Sequence, residues 1–366
     1  MKPIIYKTRP RINGKVNFVD AYTSAIPELF FIQNPKIKKG TVEAKDKLQK
    51  FLLKTKFPER WIYFQEDNIL VRSLDEKNYF KLRTSRNKNL ISHQEQTQFR
   101  NLSVGIAGLS VGSCILSSIV ISGGPKQIKI ADFDTLEITN LNRIRAKLKD
   151  IGKNKIQIAA KEIWELDPDA ELGLYEHGIT EQNLKEFLAG KPKLNIFIDE
   201  MDSIPLKIQS RFLCKKLKIP VIMATDNGDS VILDVERYDL EPKREIFHGL
   251  LGKINPENLK NLTYNEWLSL ATKIVGGEYL TTNMQESLLQ IGKKLPAVPQ
   301  LGAIASVAGA ATCLVLRRIA SKKNMPSGRY IISLEEKIIP NYFSKFNIKQ
   351  RNKTTNKFKL NFGKKI

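Results

Sequence analysis

Short apolar runs alternate with amphipathic segments along most of this chain, and the alternation predicts strands separated by helices. The clearest case is an apolar run at 102–107, followed by a glycine-containing turn and an amphipathic segment at 114–121. A second apolar run covers 128–131 and ends at Asp132. This order predicts one βαβ unit, in which a tight turn and a helix join two parallel strands.

The alternation continues downstream and predicts a Rossmann-like α/β fold with a doubly wound, mainly parallel sheet. Helices are predicted at 154–166, 181–188, 204–217 and 301–316, and strands at 172–175, 194–198, 220–224, 231–235 and 330–334. Between about 240 and 296 the pattern loosens into short helical pieces interrupted by prolines, which we call the crossover region.

The main sheet belongs to a domain that covers 86–339, with a smaller part on each side of it. Residues 1–85 are predicted to form a small N-terminal α/β element. Its helix is predicted at 42–54 and its strands at 29–32, 61–64 and 68–71. Residues 340–366 are basic, and no acidic residue follows Glu336, so a disordered, solvated tail is predicted.

Composition narrows the class of protein. The 366 residues are 42% apolar, which is enough for a sizeable core in two domains. The net charge of +22 is spread along the chain, so binding of nucleic acid by the basic tail stays open but is not favoured. The first residues contain no apolar signal segment, and the run at 301–316 is short for a membrane span, so a cytoplasmic protein is expected. Three widely spaced cysteines indicate no disulfide framework, and no zinc is expected.

The βαβ unit carries the chemistry of a nucleotide site. Unpaired amides at a helix N-terminus attract phosphate, and the turn places Gly108, Ser110 and Gly112 there. At the end of the second strand, the Asp132 carboxylate can accept hydrogen bonds from ribose hydroxyls. Sites for NAD, FAD and ATP share this arrangement, and Ser110 replaces the second glycine of the dinucleotide motif. The turn alone therefore does not choose among these nucleotides.

Four motifs follow the turn in order. They are Asp132-Phe-Asp134, Asn140-Leu-Asn142-Arg143, Gly152-Lys-Asn-Lys155 and Asp199-Glu-Met-Asp202. With them the chain resembles the ThiF/MoeB/ubiquitin-activating-enzyme superfamily, in which D-x-D, N-L-x-R, G-x-x-K and D-x-x-D motifs follow a glycine turn. The Gly-Leu-Ser-Val-Gly turn resembles a bacterial subgroup whose ThiF-like half is often joined to a nitroreductase-like half, which these residues do not contain.

The resemblance implies an ATP- and Mg²⁺-dependent adenylyltransferase that activates a carboxylate as an acyl-adenylate and releases pyrophosphate. The implied substrate is the C-terminus of a small ubiquitin-like or sulfur-carrier protein, a peptide or a small acid. Catalytic roles are implied for Arg86, Arg143, Lys155 and Asp202, with Asp202 as the Mg²⁺ ligand. Nucleotide-binding roles are implied for Gly108, Ser110, Gly112, Asp132, Asp134, Asn140, Asn142, Arg143, Lys155, Asp202 and Ser203.

The quaternary structure that the resemblance implies depends on Arg86. Arg86 matches the second arginine of an R-x-x-R-Q motif, which in the family reaches the ATP phosphates of a partner subunit, so the resemblance implies a homodimer. Asn87 stands here in place of the glutamine. A second departure is Ser203, which follows Asp202 where the family usually has asparagine.

No cysteine lies between Cys214 and Cys313, whereas family members that form a thioester or persulfide place a reactive cysteine in the crossover region. Adenylation without such a relay is therefore expected. The only histidine in that region is His248, and a lone histidine is more often structural than catalytic.

Two other classes of protein stay open at this stage. An oxidoreductase-type module that binds NAD or FAD would use the same βαβ unit and Asp132. It gives no reason for Arg143, Lys155 and Asp202 to occur together. A non-catalytic nucleotide-binding scaffold is suggested by Ser110 and by the missing cysteine and zinc.

Overall fold

The N-terminal part forms a small sheet flanked by helices in the computed structural model, which describes residues 1–254, 259 and 262–363. Its elements are β1 (Ile4–Tyr6), β2 (Asn17–Asp20), α1 (Ala21–Gln33), α2 (Val42–Lys54), β3 (Glu59–Phe64), β4 (Ile69–Leu74) and α3 (Glu76–Arg83). Helix α4 (His93–Arg100) follows and belongs to the main domain. The sheet order is β1-β3-β4-β2, with β2 parallel to β4 and the other pairs antiparallel.

The main domain is built on a larger sheet. Its elements are β5 (Ser103–Ala107), α5 (Val111–Ile121), β6 (Gln127–Ala131), α6 (Lys155–Leu166), β7 (Glu171–Tyr175), α7 (Leu184–Ala189), β8 (Ile196–Asp199), α8 (Ile204–Leu217), β9 (Val221–Asp226), β10 (Ser230–Glu236), α9 (Tyr264–Val275), α10 (Thr282–Leu288), α11 (Gly302–Ala320), β11 (Gly328–Ser333) and α12 (Leu334–Ile338). The order is β11-β10-β9-β8-β5-β6-β7. Strands β5 to β9 are parallel where they pair, and β10 and β11 are antiparallel. The predicted doubly wound, mainly parallel α/β fold is confirmed.

Strand β5 lies at the point where the chain reverses its direction of progress across the sheet. Ala107, its last residue, is opposite Ala131 of β6 on one side and Asp199 of β8 on the other. The connections after β5 and β8 leave toward opposite sides of the sheet, and such a point opens a crevice at the carboxyl ends of the strands.

Helix α11 closes the core against α5. Gly309 makes this contact possible, because a Cβ there would lie 2.5 Å from the Ser118 hydroxyl and 2.7 Å from the Cys114 carbonyl oxygen. Ile304 and Leu316 are fully buried in the same cluster as β5 and β6. Among the described residues, α11 is the one helix that is long and apolar enough to cross a membrane, and in this fold it lies on the central sheet.

The strand predicted at 29–32 is wrong, because these residues end helix α1. The run of aromatic and β-branched residues suggested a strand, but Asp20 caps the helix by accepting a hydrogen bond from the Thr23 amide at 2.9 Å. Ile26, Leu29 and Phe30 then face one buried side at helical spacing. The other predicted elements of this part are present as α2, β3 and β4.

The prediction of a disordered tail is also wrong for most of its length, because the chain forms helix α13 (Lys345–Gly363). Its high charge favoured disorder, but Phe358 is only 2% exposed and packs with Ile232, Leu280 and Met284. The Thr355 hydroxyl also donates to the side-chain oxygen of Gln285 in α10 at 3.1 Å. The helix is therefore held on the crossover region by a few specific contacts.

Candidate functional site

A cavity of about 620 Å³ opens at the carboxyl ends of β5, β6 and β8. Most of the predicted site residues line it, although they come from distant parts of the chain. They are Gly108, Ser110, Asp132, Asp134, Asn140, Arg143, Lys155, Asp202 and Ser203. The parallel sheet brings them together, because the loop after each of these strands ends at the same edge.

The turn between β5 and α5 passes very close to the end of β8. Gly108 has φ +91°, and a Cβ there would lie 2.2 Å from the Glu200 carbonyl oxygen. Its amide donates to the Ala131 carbonyl at 2.8 Å. Only glycine fits this combination of backbone conformation and close approach. The start of α5 is thereby held on the cavity wall.

Asp132 connects the turn to the end of β6. Its carboxylate is buried and accepts hydrogen bonds from the Leu109 amide at 2.6 Å and the Asp134 amide at 2.8 Å. Burial raises the pKa of this carboxyl, while the two amides act in the opposite direction. Each carboxylate oxygen keeps a further lone pair, so Asp132 can still accept a hydrogen bond from a ligand hydroxyl.

Lys155 begins α6, and its ammonium nitrogen lies 2.7 Å from Asp134 Oδ2. A lysine in the first turn of a helix is unfavourable against the helix dipole, so an anionic partner is needed. The Lys155 side chain is 8% exposed and that of Asp134 is 48% exposed. A phosphate can therefore take the place of Asp134 while the carboxylate moves into water.

Arg143 contacts the turn between β5 and α5. Its Nε donates to the Ser110 hydroxyl at 2.7 Å, and its Nη1 donates to the Thr139 carbonyl and the Asn142 side-chain oxygen at 3.1 and 2.9 Å. Burial lowers the pKa of the guanidinium, while Asp226 and, less strongly, Asp202 act to raise it. The cation is thus fixed at the start of α5 with two carboxylates in its field.

Asp202 and Ser203 follow β8 and line the same cavity. Asp202 is exposed and forms no hydrogen bond or ion pair within the part of the chain that the structure describes. Ser203 occupies the N-cap position of α8, but its side chain makes no capping hydrogen bond. Both side chains are therefore available to a ligand.

Three predicted site residues lie outside the cavity wall. Gly112 packs in the first turn of α5, where a Cβ would lie 3.1 Å from the Ile106 side chain. The Asn142 side chain donates to the Gln300 carbonyl at 2.8 Å. Arg86 is exposed in a short turn, Ser85–Asn87, and does not reach the cavity of its own chain. Nucleotide contacts of Gly112 and Asn142 therefore stay predictions. Gly112 lies in the first turn of α5, and Asn142 accepts a hydrogen bond from Arg143 Nη1 at 2.9 Å.

Asp226 is a cavity residue that sequence reasoning missed. It ends β9, is 6% exposed and lines the cavity. Neither of its carboxylate oxygens accepts a hydrogen bond from any residue that the structure describes. Burial raises its pKa to about 6, although Arg143 acts to lower it. Thr225-Asp-Asn-Gly228 has the composition of a surface turn, so nothing in the sequence indicates this burial.

Asp226 should make the ligand-free protein less stable at neutral pH than an Asp226→Asn variant. The folded-state pKa of about 6 lies above the ordinary value of 3.8, so the folded state holds the proton more tightly. Stability is then lost as pH rises between these two values and stays lower above pH 6. We expect Asp226→Asn to raise the free energy of unfolding at pH 7.5 by about 1–3 kcal/mol.

Urea unfolding at pH 4 and pH 7.5 checks this prediction. The increase in the free energy of unfolding caused by Asp226→Asn should nearly vanish at pH 4, because the wild-type carboxyl is then protonated in the folded state. Asp229→Asn is the matched control, since Asp229 is exposed in the same turn. The prediction would be contradicted by an equal increase in the free energy of unfolding at both pH values, or by an equal increase for Asp229→Asn.

The other side of the cavity is apolar and comes from the crossover region. Helices α9 and α10 and the segment between them line it, with Trp267, Ile274, Val275, Leu280, Met284 and Leu288. Asn227 fixes this segment to the end of β9, because its side chain donates to the Tyr279 carbonyl at 2.9 Å and accepts from the Thr281 amide at 2.8 Å. Asp226 thus lies next to the residue that holds the apolar wall.

His248 is structural, in line with the sequence expectation. Its ring nitrogens lie 3.0 Å from Asp234 Oδ1 and 2.9 Å from Arg244 Nη2, and it does not line the cavity. Asp199, the first aspartate of the D-x-x-D motif, is also structural, because it is fully buried beside Arg211 and Lys207.

A doubly wound sheet with a cavity at its switch point is typical of nucleotide-binding α/β proteins. The family model described as "ThiF family" matches residues 84–353. The chain therefore belongs to the ThiF family, which confirms the predicted family.

Three relatives share stretches of different length with this chain. An "Uncharacterized protein MT1398" from Mycobacterium tuberculosis (strain CDC 1551 / Oshkosh) is 36% identical over 271 residues, which are 74% of this chain and 37% of that protein. The tRNA threonylcarbamoyladenosine dehydratase of Bacillus subtilis (strain 168) is 26% identical over 46% of this chain and 68% of its own length. The sulfur carrier protein ThiS adenylyltransferase of Escherichia coli (strain K12) is 25% identical over 35% of this chain and 49% of its own length.

Among solved structures, SeMet PaaA has a TM-score of 0.50 with 16% identity, covering 71% of this chain and 77% of that one. This likeness shows the fold alone. The chain spans little more than a third of the mycobacterial relative, 37% of its length.

Proposed function

We propose that the protein is an adenylyltransferase that uses ATP and Mg²⁺ to activate a carboxylate as an acyl-adenylate. The supporting observation is that Arg143, Lys155 and the unpaired Asp202 line one cavity around the start of α5. An NAD or FAD site would use the glycine turn and Asp132, but it has no need for two cations and a free carboxylate beside the phosphates. The name of one relative, an adenylyltransferase, points in the same direction.

ATP would bind with its ribose at Asp132 and its phosphates over the start of α5. The amides there and the helix dipole favour negative charge. Lys155 would exchange Asp134 for a phosphate oxygen, and Arg143 would contribute its free guanidinium edge. Each cation is already held near the cavity by its hydrogen bonds, so little reorganisation is needed when the nucleotide arrives.

Asp202 fits the role of Mg²⁺ ligand. Mg²⁺ is typically held by one or two carboxylates together with substrate phosphates, and a dedicated cage of protein ligands is not required. Within the described residues no group of three or more histidine, cysteine, aspartate or glutamate side chains is arranged to hold a metal ion. A single exposed carboxylate with phosphate oxygens meets the need. The ion would neutralise charge on the triphosphate.

In the reaction, a carboxylate oxygen of the substrate attacks the α-phosphorus of ATP. The bond from the α-phosphorus to its bridging oxygen breaks, and pyrophosphate leaves with the electron pair. Such a reaction is accelerated mainly by positioning and by fixed positive charge. Arg143 and Lys155 would supply that charge in a cavity partly shielded from water by α9 and α10.

Arg86 supports the proposal of a homodimer. It is exposed and lies outside the cavity of its own chain, so it could act only on the site of a second subunit. The substrate would be a small carrier protein, a peptide or a small acid. We place the enzyme in the cytoplasm on the sequence expectation.

ATP–pyrophosphate exchange tests the proposal directly. Purified protein is incubated with Mg·ATP, labelled pyrophosphate and one carboxylate at a time, and Mg·ATP binding is measured in parallel by calorimetry. We expect micromolar to millimolar binding of Mg·ATP and exchange that depends on one class of carboxylate. Binding of NAD or FAD without binding of ATP would favour the oxidoreductase-type module. Binding of ATP without exchange across carrier, peptide and small-acid panels would favour the non-catalytic scaffold.

A further inference from the structure

Asp226 is a buried charged group on the cavity wall that the adenylation chemistry does not use. It is only 6% exposed, and both of its oxygens are without a hydrogen-bond donor among the described residues. Leaving a buried carboxylate unpaired is costly, and such a group is normally neutralised or paired. Its position on a cavity wall indicates that a ligand supplies the partner.

Arg143 donates no hydrogen bond to Asp226 in the ligand-free protein. The guanidinium lowers the pKa of Asp226 through its field, but its hydrogen bonds go to Ser110, Thr139 and Asn142. The cation and the carboxylate nevertheless lie close enough to act on each other. A ligand with a negative group at Arg143 and a positive group at Asp226 would satisfy both.

The apolar wall beyond Asp226 sets the shape of the rest of the ligand. It is formed mainly by Trp267, Ile274, Leu280 and Met284. Asn227, the neighbour of Asp226, anchors the segment from which this wall begins. A group placed at Asp226 therefore has a large hydrophobic surface beside it, and burial there favours a bulky aliphatic or aromatic side chain.

We propose that the substrate is an α-amino acid with a bulky apolar side chain, whose amino group pairs with Asp226 and whose side chain occupies the apolar wall. This inference rests on the adenylation proposed above and names the substrate class of the same site. The α-carboxylate lies on the Arg143 side and attacks the α-phosphorus of ATP. The products are an aminoacyl-adenylate and pyrophosphate, and the amino group keeps its protons throughout.

A free amino acid satisfies Asp226 better than the C-terminus of a peptide. The nitrogen of a terminal peptide residue is an amide, which donates one hydrogen bond but carries no charge. It would leave the buried carboxylate without a counter-charge. In the adenylation proposed above, Mg²⁺ is held by the exposed Asp202 and the phosphates of ATP, which leaves Asp226 without a counter-charge.

Matched acids test the inference in the exchange assay. Leucine is compared with 4-methylpentanoate, which lacks the amino group, with N-acetyl-leucine, which carries an amide, and with glycine, which lacks the side chain. We expect kcat/KM for leucine, or for methionine or phenylalanine, to exceed each of the three by about 100-fold. A peptide that ends in leucine forms a separate arm and should support no comparable exchange.

Two variants connect the preference to the structure. Asp226→Asn should abolish the advantage of leucine over 4-methylpentanoate, which is about 100-fold in kcat/KM for the wild type. The KM for ATP should change by less than about twofold. Asp229→Asn is the control and should keep the preference. Met284→Trp reduces the space beside the apolar wall and should shift the preference in kcat/KM from leucine toward alanine. Binding of Mg·ATP by each variant shows that it is folded.

Several results would overturn the inference while leaving adenylation intact. They are exchange with N-acetyl-leucine or 4-methylpentanoate as fast as with leucine, exchange only with a peptide or carrier protein, and equal loss of ATP binding and of leucine exchange in Asp226→Asn. Exchange with no acid and no binding of Mg·ATP would instead remove the proposed function, and the inference with it.

Discussion

Replacing Asp202 by alanine is expected to lower ATP–pyrophosphate exchange by about 1000-fold, because a side chain that organises the metal acts on charge in the transition state. The carboxylate is exposed and has no hydrogen bond or ion pair within the described residues. Its removal therefore leaves no buried group unpaired, and the free energy of unfolding should change by less than about 0.5 kcal/mol. Exchange kinetics and urea unfolding measure the two effects on the same preparation.

A change of metal distinguishes direct ligation from a general effect of charge. Asp202→Cys should be nearly inactive with Mg²⁺ and should recover at least about tenfold with Cd²⁺, because a thiolate prefers the softer ion. The native cysteines Cys114, Cys214 and Cys313 are all buried, so they offer little competition for the ion. Asp229→Ala removes an exposed carboxylate from the turn after β9 and should keep normal exchange. Near-normal exchange by Asp202→Ala would rule out the proposed role of Asp202.

Much of the fold and part of the site were predictable because they depend on local patterns. Each strand of the parallel sheet is a short apolar run, and the motif residues follow these runs directly. Gly108, Asp132 and Asp202 therefore reach one cavity in the structure, as the order of strand and motif implies. Their chemical roles remain predictions, which the exchange assays address.

Asp226 could not be found in the same way, because its importance comes from packing. A Thr-Asp-Asn-Gly sequence is typical of an exposed turn. Here Asn227 is drawn into hydrogen bonds with the segment before α10, and that segment covers the end of β9. The burial depends on contacts more than 50 residues away in sequence, which periodicity does not reveal.

The two wrong local predictions have a common cause. Residues 29–32 have the composition of a strand and 345–363 have the composition of a solvated tail, yet both are helical. In the first case Asp20 caps the helix, and in the second Phe358 enters a hydrophobic cluster with Ile232. A cap or one buried aromatic side chain outweighs average composition, because intrinsic propensities are weak.

A buried ion-pair cluster supports the end of β8, the strand that precedes Asp202. Arg211 of α8 is fully buried, and it pairs with Asp199 at the end of β8 and with Glu236 of β10, whose carboxylate lies 2.6 Å from the Arg211 Nε. The guanidinium also lies 3.7 Å from the ring centre of Phe247. Burial would lower the pKa of Arg211, but the two carboxylates more than offset it and hold the side chain charged.

Replacing Arg211 by methionine is expected to reduce the free energy of unfolding by about 3–5 kcal/mol. Removing one partner of a buried pair leaves an uncompensated charge, and here Glu236 is left without its cation. Asp199 keeps Lys207, which is 3.3 Å away, so part of its stabilisation remains. Denaturant unfolding at pH 7.5 measures the change, and binding of Mg·ATP at low denaturant shows whether the end of β8 is still in place.

Lys216→Met is the matched control, since Lys216 is exposed on the same helix and the same type of charge is lost. It should change the free energy of unfolding by less than about 0.5 kcal/mol. Combining Arg211→Met with Asp199→Asn and Glu236→Gln removes the unpaired charges and should recover at least about half of the loss, because the desolvation penalty disappears with them. Two results would contradict a stabilising role of the cluster at the end of β8. They are a loss of less than about 1 kcal/mol in the free energy of unfolding of Arg211→Met, and a triple variant less stable than Arg211→Met alone.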